Sequence, residues 1–565
     1  MESKIKIAFI LDSYIVPRWK YKIIEDIINS DYSVVSLIVF NNDGLFNSSQ
    51  SASSVFSLLK LYQVIDKSVF GKKSDYSQNC SLLGLIQNIP AIYAKPVVSL
   101  NLIEYSVDTC KSIQESGPDV ILKLGYGNPI GDIVSIARYG LWAFTLDYFD
   151  TDKLGHSWFN LVLNKSLVAN CDLVLVGGAE TEPALISRTV ENICSYSVHI
   201  TRERFYARAS LMPSRILKAM NAKGYGFIES IKSKFPSYEN RFIEKSTQFT
   251  LKQQTGFIWK ISFQILQKIR KKIFYTDPFN WILLFKSEAE RFISTKFGNF
   301  IKIKSPNDKF WADPFIIQRD NKFFVFVEEF IYRKNKGHIS VIELDRNGVI
   351  NNVNVIIEKT YHLSYPFVFE SDGMLYMIPE SSENKTIDIY KCIDFPGQWA
   401  YQKTIMQGLS AFDTTLFYFN GKWWMFTLVN ELKDSKDESP DLFLFYSDNF
   451  LSDKWTSHPL NPIVSDIRSA RPAGKVFLDD GKIIRPSQDC SGRYGRAFNY
   501  NIIHTLSENE YSESISEKVE PKWDVDLKGT HTFNSDGKSV IIDAYSFRLR
   551  YPFSLITKKN NYSLY

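Results

Sequence analysis

The chain has 565 residues, of which 44% are hydrophobic, 15% aromatic and 23% charged. This composition is typical of a globular protein with large cores, and it excludes wholesale disorder, collagen and coiled coil. A formal net charge of +5 over a chain of this length is too small to predict a nucleic-acid partner. We therefore expect several folded domains and no nucleic-acid binding.

Cysteine usage and hydropathy give expectations about location. The six cysteines form no C-x-x-C pair and no cluster with histidine, so the sequence predicts neither a metal site nor a disulfide framework. The N-terminal apolar run, residues 7–11, is too short for a signal sequence, and no stretch approaches the roughly 18 apolar residues of a membrane-spanning helix. We expect a cytoplasmic protein, soluble or peripheral on the inner face of the membrane.

The first third of the chain alternates strand and helix signals. Apolar runs at residues 4–11, 33–40 and 173–176 predict buried strands, and helical periodicity predicts helices over 19–28 and about 102–115. This alternation is typical of a parallel α/β sheet, which we expect to form a first domain over residues 1–212.

Residues 117 to about 214 contain the segments GPDVILKLGYG, ARYGLWAFTLDYFD and VGGAETEPALISRTVENICSYS. They resemble the N-terminal domain of folate-dependent formyltransferases, in particular a sugar-directed branch. The resemblance implies a Rossmann-type parallel sheet and transfer of a formyl group from formyl-tetrahydrofolate by an Asn, a His and an Asp. The corresponding positions here are Ala143, Thr145 and the neighbourhood of Glu180.

Ala143 and Thr145 cannot polarise a formyl carbonyl or act as a general base. We therefore expect no formyl transfer and no cofactor. A sugar N-formyltransferase using formyl-tetrahydrofolate stays open as an alternative if a displaced base, His156, replaces the missing groups. The nearby acidic residues, Asp147, Asp150 and Asp152, are expected to lie in a solvated loop.

Residues 213–300 lose the α/β alternation and are expected to form a basic helical connector. Within it, residues 257–274 place isoleucines at helical spacing among lysines and an arginine, and those isoleucines are Ile258, Ile261, Ile265, Ile269 and Ile273. Such a helix either contacts an anionic membrane surface or packs its isoleucine face on a flanking domain. Both interpretations stay open.

The C-terminal part repeats a hairpin signal five times. Each repeat has a turn-forming pair followed by a strand, and the pairs begin at Asp320, Asp372, Asn420, Asp480 and Asp536. A further strand precedes each pair. Units of about 50–60 residues with these signals predict a five-bladed β-propeller over residues 301–565.

Aligning the repeats gives two columns of side chains. The first column stands near the start of the inner strand and reads Asp313, Tyr365, Asp413, Arg471 and His531. The second lies on the following strand and reads Glu328, Glu380, Leu428, Gln488 and Ala544. We expect the first column to form one polar ring in the central channel, as either a ligand pocket or a structural plug, because buried polar groups need partners in both cases.

The segments FWADPF, DTTLF, RPAGKVF, IIRPSQDCSGRYG and GTHTF lie in this half. They resemble the propeller domain of the plant glucosamine inositolphosphorylceramide transferases, which implies a sugar, nucleotide sugar or glycolipid substrate. At greater distance the half is similar to glycoside hydrolase family 43, whose first-blade Asp matches Asp313. Where those hydrolases have an Asp in the second blade, this sequence has Tyr365.

We favour a carbohydrate-active transferase, or a transferase component, in cell-surface polysaccharide or glycolipid biosynthesis. Catalytic roles are predicted for Asp313, Asp413 and Glu380. Substrate contacts are predicted for six further residues, which are Glu328, Tyr365, Arg471, Arg485, Gln488 and His531. The alternatives are the N-formyltransferase, a glycosidase that uses Asp313 with Glu380 or Glu328, and a non-catalytic glycan-binding protein.

Overall fold

A computed structural model describes most of the chain. The described residues are 4–41, 58–71, 75–99, 102–144, 156–163, 166–177, 183–224, 226–234, 249–288, 293–432 and 440–549. They divide into two compact units, which are in the main residues 1–265 and residues 266 onward. The division falls inside a helix and not at the predicted boundaries after residues 212 and 300.

The first unit is built on a seven-stranded sheet. Its strands, with five short accessory ones, are β1 (Ile5–Leu11), β2 (Ile15–Pro17), β3 (Ser33–Asn41), β4 (Asn79–Ser81), β5 (Ala91–Ala94), β6 (Val97–Ser99), β7 (Leu102–Glu104), β8 (Val120–Lys123), β9 (Asn128–Ile130), β10 (Leu141–Phe144), β11 (Val168–Leu175) and β12 (Ala184–Asn192). The sheet order is β12-β11-β10-β8-β1-β3-β5. Neighbouring strands from β10 to β5 pair in parallel, and β11 and β12 pair antiparallel. The predicted α/β region at the N-terminus is confirmed.

The described helices are α1 (Arg18–Ile28), α2 (Leu58–Phe70), α3 (Leu83–Ile86), α4 (Val107–Glu115), α5 (His156–Leu163), α6 (Val198–Lys223), α7 (Gly226–Lys234) and α8 (Leu251–Phe274). The helix expected from about residue 102 starts only at Val107, because Ser106 caps it and accepts a hydrogen bond from the Thr109 backbone N–H. The boundary predicted after residue 212 falls inside α6.

The second unit contains five four-stranded antiparallel sheets. Sheets 1 to 4 follow one another along the chain. Their strands are β15 (Lys309–Arg319), β16 (Lys322–Ile331), β17 (Lys336–Leu344), β18 (Ile350–Ile357), β19 (Ser364–Ser371), β20 (Met374–Glu380), β21 (Thr386–Asp394), β22 (Gln398–Gln407), β23 (Ala411–Phe419), β24 (Lys422–Val429), β25 (Asp441–Ser447), β26 (Thr456–Ser457), β27 (Phe477–Asp479), β28 (Lys482–Asp489), β29 (Ala497–Leu506) and β30 (Tyr511–Val519). The β-rich character predicted for this half is confirmed.

Sheet 5 combines strands from the two ends of the second unit. Its members, β13 (Tyr275–Lys286), β14 (Ile301–Ile303), β31 (Phe533–Ser535) and β32 (Val540–Leu549), stand in the order β14-β13-β32-β31. Strands β13 and β32 also contact β15 of sheet 1. The predicted connector, residues 213–300, therefore includes a strand of the β-rich region.

The basic helix α8 divides the isoleucine row between two environments. Ile261 is buried, while Ile269 and Ile273 are exposed. Among the described residues, no helix combines the length and hydropathy needed to span a bilayer.

Several residues singled out for the formyltransferase comparison cannot be placed. Thr145, Asp147, Asp150, Asp152 and Glu180 lie outside the described residues. Helix α5 begins at His156, whose side chain is likewise not described. Ala143 is buried in β10 between β8 and β11.

Gly474 marks a close approach between the segment before β27 and β31. Its φ is +142°, and an added Cβ would come within 1.9 Å of the Phe533 carbonyl oxygen.

We predict that Gly474→Ala lowers the free energy of unfolding of the second unit by about 2–5 kcal/mol, through overpacking and backbone strain. Urea unfolding measures this change. Gly421→Ala is the control, because it shares a positive φ, +76°, and an added Cβ there meets nothing within 4 Å. An equal loss in both variants would contradict the packing argument.

Candidate functional site

Three of the first-column residues lie at the same backbone irregularity in sheets 1, 2 and 3. Asp313, Tyr365 and Asp413 have φ values of +51°, +42° and +49°. In each sheet the pairing register shifts at this point, so that two residues on the first strand oppose one on the second. A left-handed backbone at a non-glycine residue is strained, and such strain is characteristic of functional sites.

Asp313 contacts the fifth sheet through His531 and Asp543. The Asp543 carboxylate accepts a hydrogen bond from the Asp313 backbone N–H at 3.0 Å and another from His531 Nδ1 at 2.8 Å. His531 Nε2 lies 3.5 Å from Asp313 Oδ1. Trp281 of β13 stacks on the imidazole, with ring centroids 4.0 Å apart. These contacts fix both the position and the orientation of the Asp313 carboxyl group.

Asp413 is the acceptor at the centre of a second group of contacts. Its Oδ2 accepts hydrogen bonds from Arg471 Nε at 2.6 Å and from Gln488 Nε2 at 3.1 Å. The same guanidinium lies 3.8 Å from Glu380 Oε2. Ser382 donates to Glu380 Oε1 at 2.9 Å, whereas Glu380 Oε2 is buried without a donor. A carboxyl oxygen in that situation favours protonation.

Tyr365 and Glu328 complete the set. The Tyr365 backbone N–H lies 3.3 Å from Asp313 Oδ2, and its hydroxyl contacts the Thr415 hydroxyl at 2.9 Å. Glu328 Oε1 lies 3.4 Å from His362 Nε2. Asp313, Glu328, Glu380, Asp413 and Asp543, which we call the acidic cluster, are all buried.

One edge of the acidic cluster is open to solvent. The Arg471 side chain is 23% exposed, and its guanidinium lies over the Tyr494 ring, 4.9 Å from the centroid. Tyr494 is 42% exposed and its ring also contacts His531 edge-on at 5.3 Å. A ligand can therefore approach along Arg471 and Tyr494, a cation and an aromatic face.

Burial raises the pKa values of three members of the acidic cluster, Asp313, Glu328 and Glu380, whereas His531 outweighs burial at Asp543 and holds its pKa below the usual range. At Asp313 burial raises the pKa to about 7, an effect that His531 opposes and Asp413 reinforces. Burial also raises the pKa of Glu380 well above its usual range, and the charge of Asp413 adds to this. The pKa of Glu328 is also raised, mainly by burial and then by the charge of Asp313. For His531 burial opposes the charged form, but Asp543 and Asp313 outweigh it and raise the pKa.

Arg485 lies apart from these contacts. Its guanidinium pairs with Glu513, with Nε 2.7 Å from Oε2, and also donates to the Ser469 carbonyl at 2.7 Å. Tyr511 donates to the same Glu513 oxygen. This arrangement ties strands of sheet 4 together, so we leave Arg485 out of the proposed site.

Sequence reasoning missed four contributors to the site. Asp543 was not predicted because the repeat alignment placed its neighbour Ala544 in the second column. Successive residues of a strand face opposite sides, so Asp543 faces the other side from the aligned position. Tyr494 lies within the quoted IIRPSQDCSGRYG segment. Trp281 precedes the predicted domain start at residue 301. His362 carried no repeat signal.

Asp313, His531 and Asp543 offer ligand atoms within 4.8 Å of one another. However, Asp543 already accepts hydrogen bonds from the Asp313, His531 and Thr532 backbone N–H groups and from His531 Nδ1. This donor set suits a structural anchor better than a metal ligand, and we assign no metal to it.

The chemistry available here combines proton donors, acceptors and one fixed cation. Protonated carboxyls donate to hydroxyls or to a leaving oxygen, and a carboxyl with a pKa near neutrality can accept a proton. Arg471 favours an anionic group at the open edge. The site therefore suits a polyhydroxyl ligand with a phosphate or carboxylate attached.

Comparison with known proteins supports the predicted resemblance. Residues 299–545 match the family model described as "Glucosamine inositolphosphorylceramide transferase 1, N-terminal". Curated relatives of that name from Oryza sativa subsp. japonica and Arabidopsis thaliana are 32% and 31% identical over 207 residues. Each alignment covers 36% of this chain and 27% of the relative. The chain thus spans about a quarter of the length of the curated relatives it matches.

Solved structures match at lower identity. A thermostable family-43 glycoside hydrolase matches with 15% identity and a TM-score of 0.30, over 39% of this chain and 82% of that one. The catalytic domain of the Coprinopsis cinerea GH62 α-L-arabinofuranosidase matches with 13% identity and a TM-score of 0.32, over 47% and 97%. Glycinamide ribonucleotide transformylase 1 from Symbiobacterium toebii matches with 12% identity and a TM-score of 0.26, over 39% and 90%.

The raised pKa values predict how stability depends on pH. The folded state holds protons on Asp313, Glu328, Glu380 and His531 that the unfolded chain releases at lower pH. The free energy of unfolding of the second unit therefore falls as the pH rises through about 5 to 8. Urea unfolding at several pH values measures this slope.

Asp313→Asn removes one of the titrating groups and should make the slope shallower. Asp453→Asn, which changes an exposed carboxyl of the same unit, is the control and should leave the slope unchanged. A slope of opposite sign, or one unaffected by Asp313→Asn, would contradict the proposed protonation.

Proposed function

We propose that this protein transfers a sugar to a glycolipid or related cell-surface glycan acceptor, with a sugar bound at the acidic cluster. The observation that carries the proposal lies inside the segment that matches the transferase family. There Asp413 and Glu380 contact Arg471, Asp313 contacts His531, and the Tyr494 ring packs against both basic side chains. We further propose that the five sheets are the blades of a propeller whose central channel holds this network.

Each residue has a role in the proposed reaction. Asp313, with a pKa near neutrality, takes the proton of the acceptor hydroxyl as the new bond to the anomeric carbon forms. The bond from the anomeric carbon to the leaving group breaks, and Glu380 gives its proton to the leaving oxygen. Asp413 holds Arg471, which binds an anionic group of donor or acceptor.

We propose that the first unit has a ligand site of its own. Strand β1 stands between β3 and β8, so the chain order reverses beside it, and ligands of open α/β sheets bind at such a point. Asp12 follows β1, and its carboxylate accepts hydrogen bonds from Asn41 Nδ2 at 2.9 Å and the Tyr126 backbone N–H at 2.7 Å. An added Cβ on Gly125 would come within 2.6 Å of Asp12 Oδ1, so a larger residue there would displace the Asp12 side chain.

An assay with a panel of nucleotide sugars and inositolphosphorylceramide tests the proposed transfer. We expect Asp313→Asn, Asp413→Asn and Glu380→Gln to lower kcat by about 10²–10⁴-fold. Glu370→Gln, an exposed carboxyl on the same strand as Tyr365, is the matched control and should retain activity. Hydrolysis of glycosides without transfer would favour the glycosidase. Sugar binding without any turnover would favour a glycan-binding protein.

An assay for formyl transfer tests the main alternative for the first unit, a sugar N-formyltransferase. Ala143 places a methyl group in a buried strand where an amide would be needed. With formyl-tetrahydrofolate and a panel of amino sugars we therefore expect no turnover in the common enzyme range of about 1–10³ s⁻¹. Turnover in that range, abolished by His156→Ala, would establish a displaced base.

A further inference from the structure

Helix α8 has two apolar faces, and the described residues pack against one of them. Phe257 and Ile261 are buried. The Phe257 ring contacts Tyr62 of α2 at 5.1 Å and Phe159 of α5 at 4.9 Å, both edge-on. This packing anchors the first half of the helix and fixes which side points away from the first unit.

The other apolar face is exposed. Trp259 is 72% exposed, Phe263 45% and Leu266 63%, and the rings of Trp259 and Phe263 stack with centroids 5.8 Å apart. At spacings of four and then three residues these side chains lie on one side of the helix. Ile269 and Ile273 continue the exposed surface toward the C-terminal end. We call these five residues the Trp259 face.

The charge of the helix is of one sign. None of its 24 residues is acidic, and six are basic, namely Lys252, Lys260, Lys268, Arg270, Lys271 and Lys272. Arg270, Lys271 and Lys272 are exposed beside the end of the Trp259 face. The Lys260 ammonium donates to the Leu163 carbonyl, which holds its cation on the flank of the helix.

We propose that the Trp259 face docks on an anionic lipid bilayer. A bilayer interface accepts indole and phenyl rings at the boundary between headgroups and acyl chains, and its negative surface potential attracts basic side chains beside them. Uniformly positive charge along an exposed apolar face matches that surface. It does not match a second copy of the same helix, because the two sets of cations would repel each other.

The proposal does not rest on the function proposed above, because it uses only the exposure and charge of α8. It differs from docking by the whole predicted isoleucine row, since Ile261 of that row is buried. Trp259, Phe263 and Leu266 form the contact together with the exposed Ile269 and Ile273 of that row.

Vesicle co-sedimentation of the full chain tests the docking. We expect binding to phosphatidylcholine vesicles containing about 30% phosphatidylserine to be at least about tenfold stronger than binding to phosphatidylcholine alone, and to weaken between about 0.05 and 0.5 M salt. Trp259→Ala combined with Phe263→Ala should weaken binding at least about tenfold. Gln at positions 270, 271 and 272 should remove the preference for anionic vesicles.

The matched control is Ile393→Ala combined with Val525→Ala, which removes exposed apolar side chains of the second unit and should leave binding unchanged. Trp259→Phe should retain binding but reduce the quenching of protein fluorescence by lipids brominated in their acyl chains. Circular dichroism establishes that each variant is folded.

Two results would overturn the proposal. The first is that the double variant, Trp259→Ala with Phe263→Ala, binds anionic vesicles as strongly as the unsubstituted chain, or that neither protein binds them. The other is a dimer in sedimentation velocity that the same substitutions dissociate, which would make a second copy the occupant of this face.

Discussion

The geometry of the candidate site depends on one buried carboxylate, that of Asp543. It accepts hydrogen bonds from the backbone N–H groups of Asp313, His531 and Thr532 and from the His531 ring. A buried N–H left without an acceptor costs about 1–3 kcal/mol, so these bonds hold the left-handed backbone at Asp313 in place. The orientation of the proposed base in sheet 1 thus depends on a charge supplied by the last strand of the unit.

The acidic cluster imposes an electrostatic constraint of its own. Arg471 and His531 place positive charge beside its five carboxyl groups. Buried carboxylates repel one another. Burial and this repulsion together raise the pKa values of Asp313, Glu328 and Glu380, so these three groups retain protons. A cluster of this kind rejects an anion from its interior and accepts hydroxyl groups, while Arg471 accommodates an anion at the open edge. Sugar phosphates have this distribution of groups.

Sequence reasoning found the parts of the site that repeat. Asp313, Tyr365 and Asp413 share a turn spacing because they share a bulge, so aligning the turns brought them together. Arg471 and His531 contact the acidic cluster from irregular segments before β27 and β31. They were predicted because they lie in the quoted segments RPAGKVF and GTHTF. Asp543 and Trp281 were not predicted, because sheet 5 joins residues far apart in the chain and has no single repeat unit.

Arg485 illustrates the opposite difficulty. A basic residue beside a predicted ring resembles a ligand contact, yet Arg485 of β28 pairs with Glu513 of β30, across the intervening strand β29. Local sequence does not show that two side chains on strands two apart are in contact. The same limit applies to α8, where helical periodicity predicted an amphipathic helix but not which of its two apolar faces packs against Tyr62 and Phe159.

The composition of sheet 5 has a consequence for synthesis of the chain. Strand β13 leaves the ribosome before any strand of sheets 1 to 4, but its partner β32 is made only after all of them. Until β32 arrives, one edge of β13 has unpaired backbone groups, and such an edge invites pairing with other chains. A nascent or truncated chain that lacks residues 540–549 therefore exposes an unpaired edge of β13, where pairing with another chain would compete with folding.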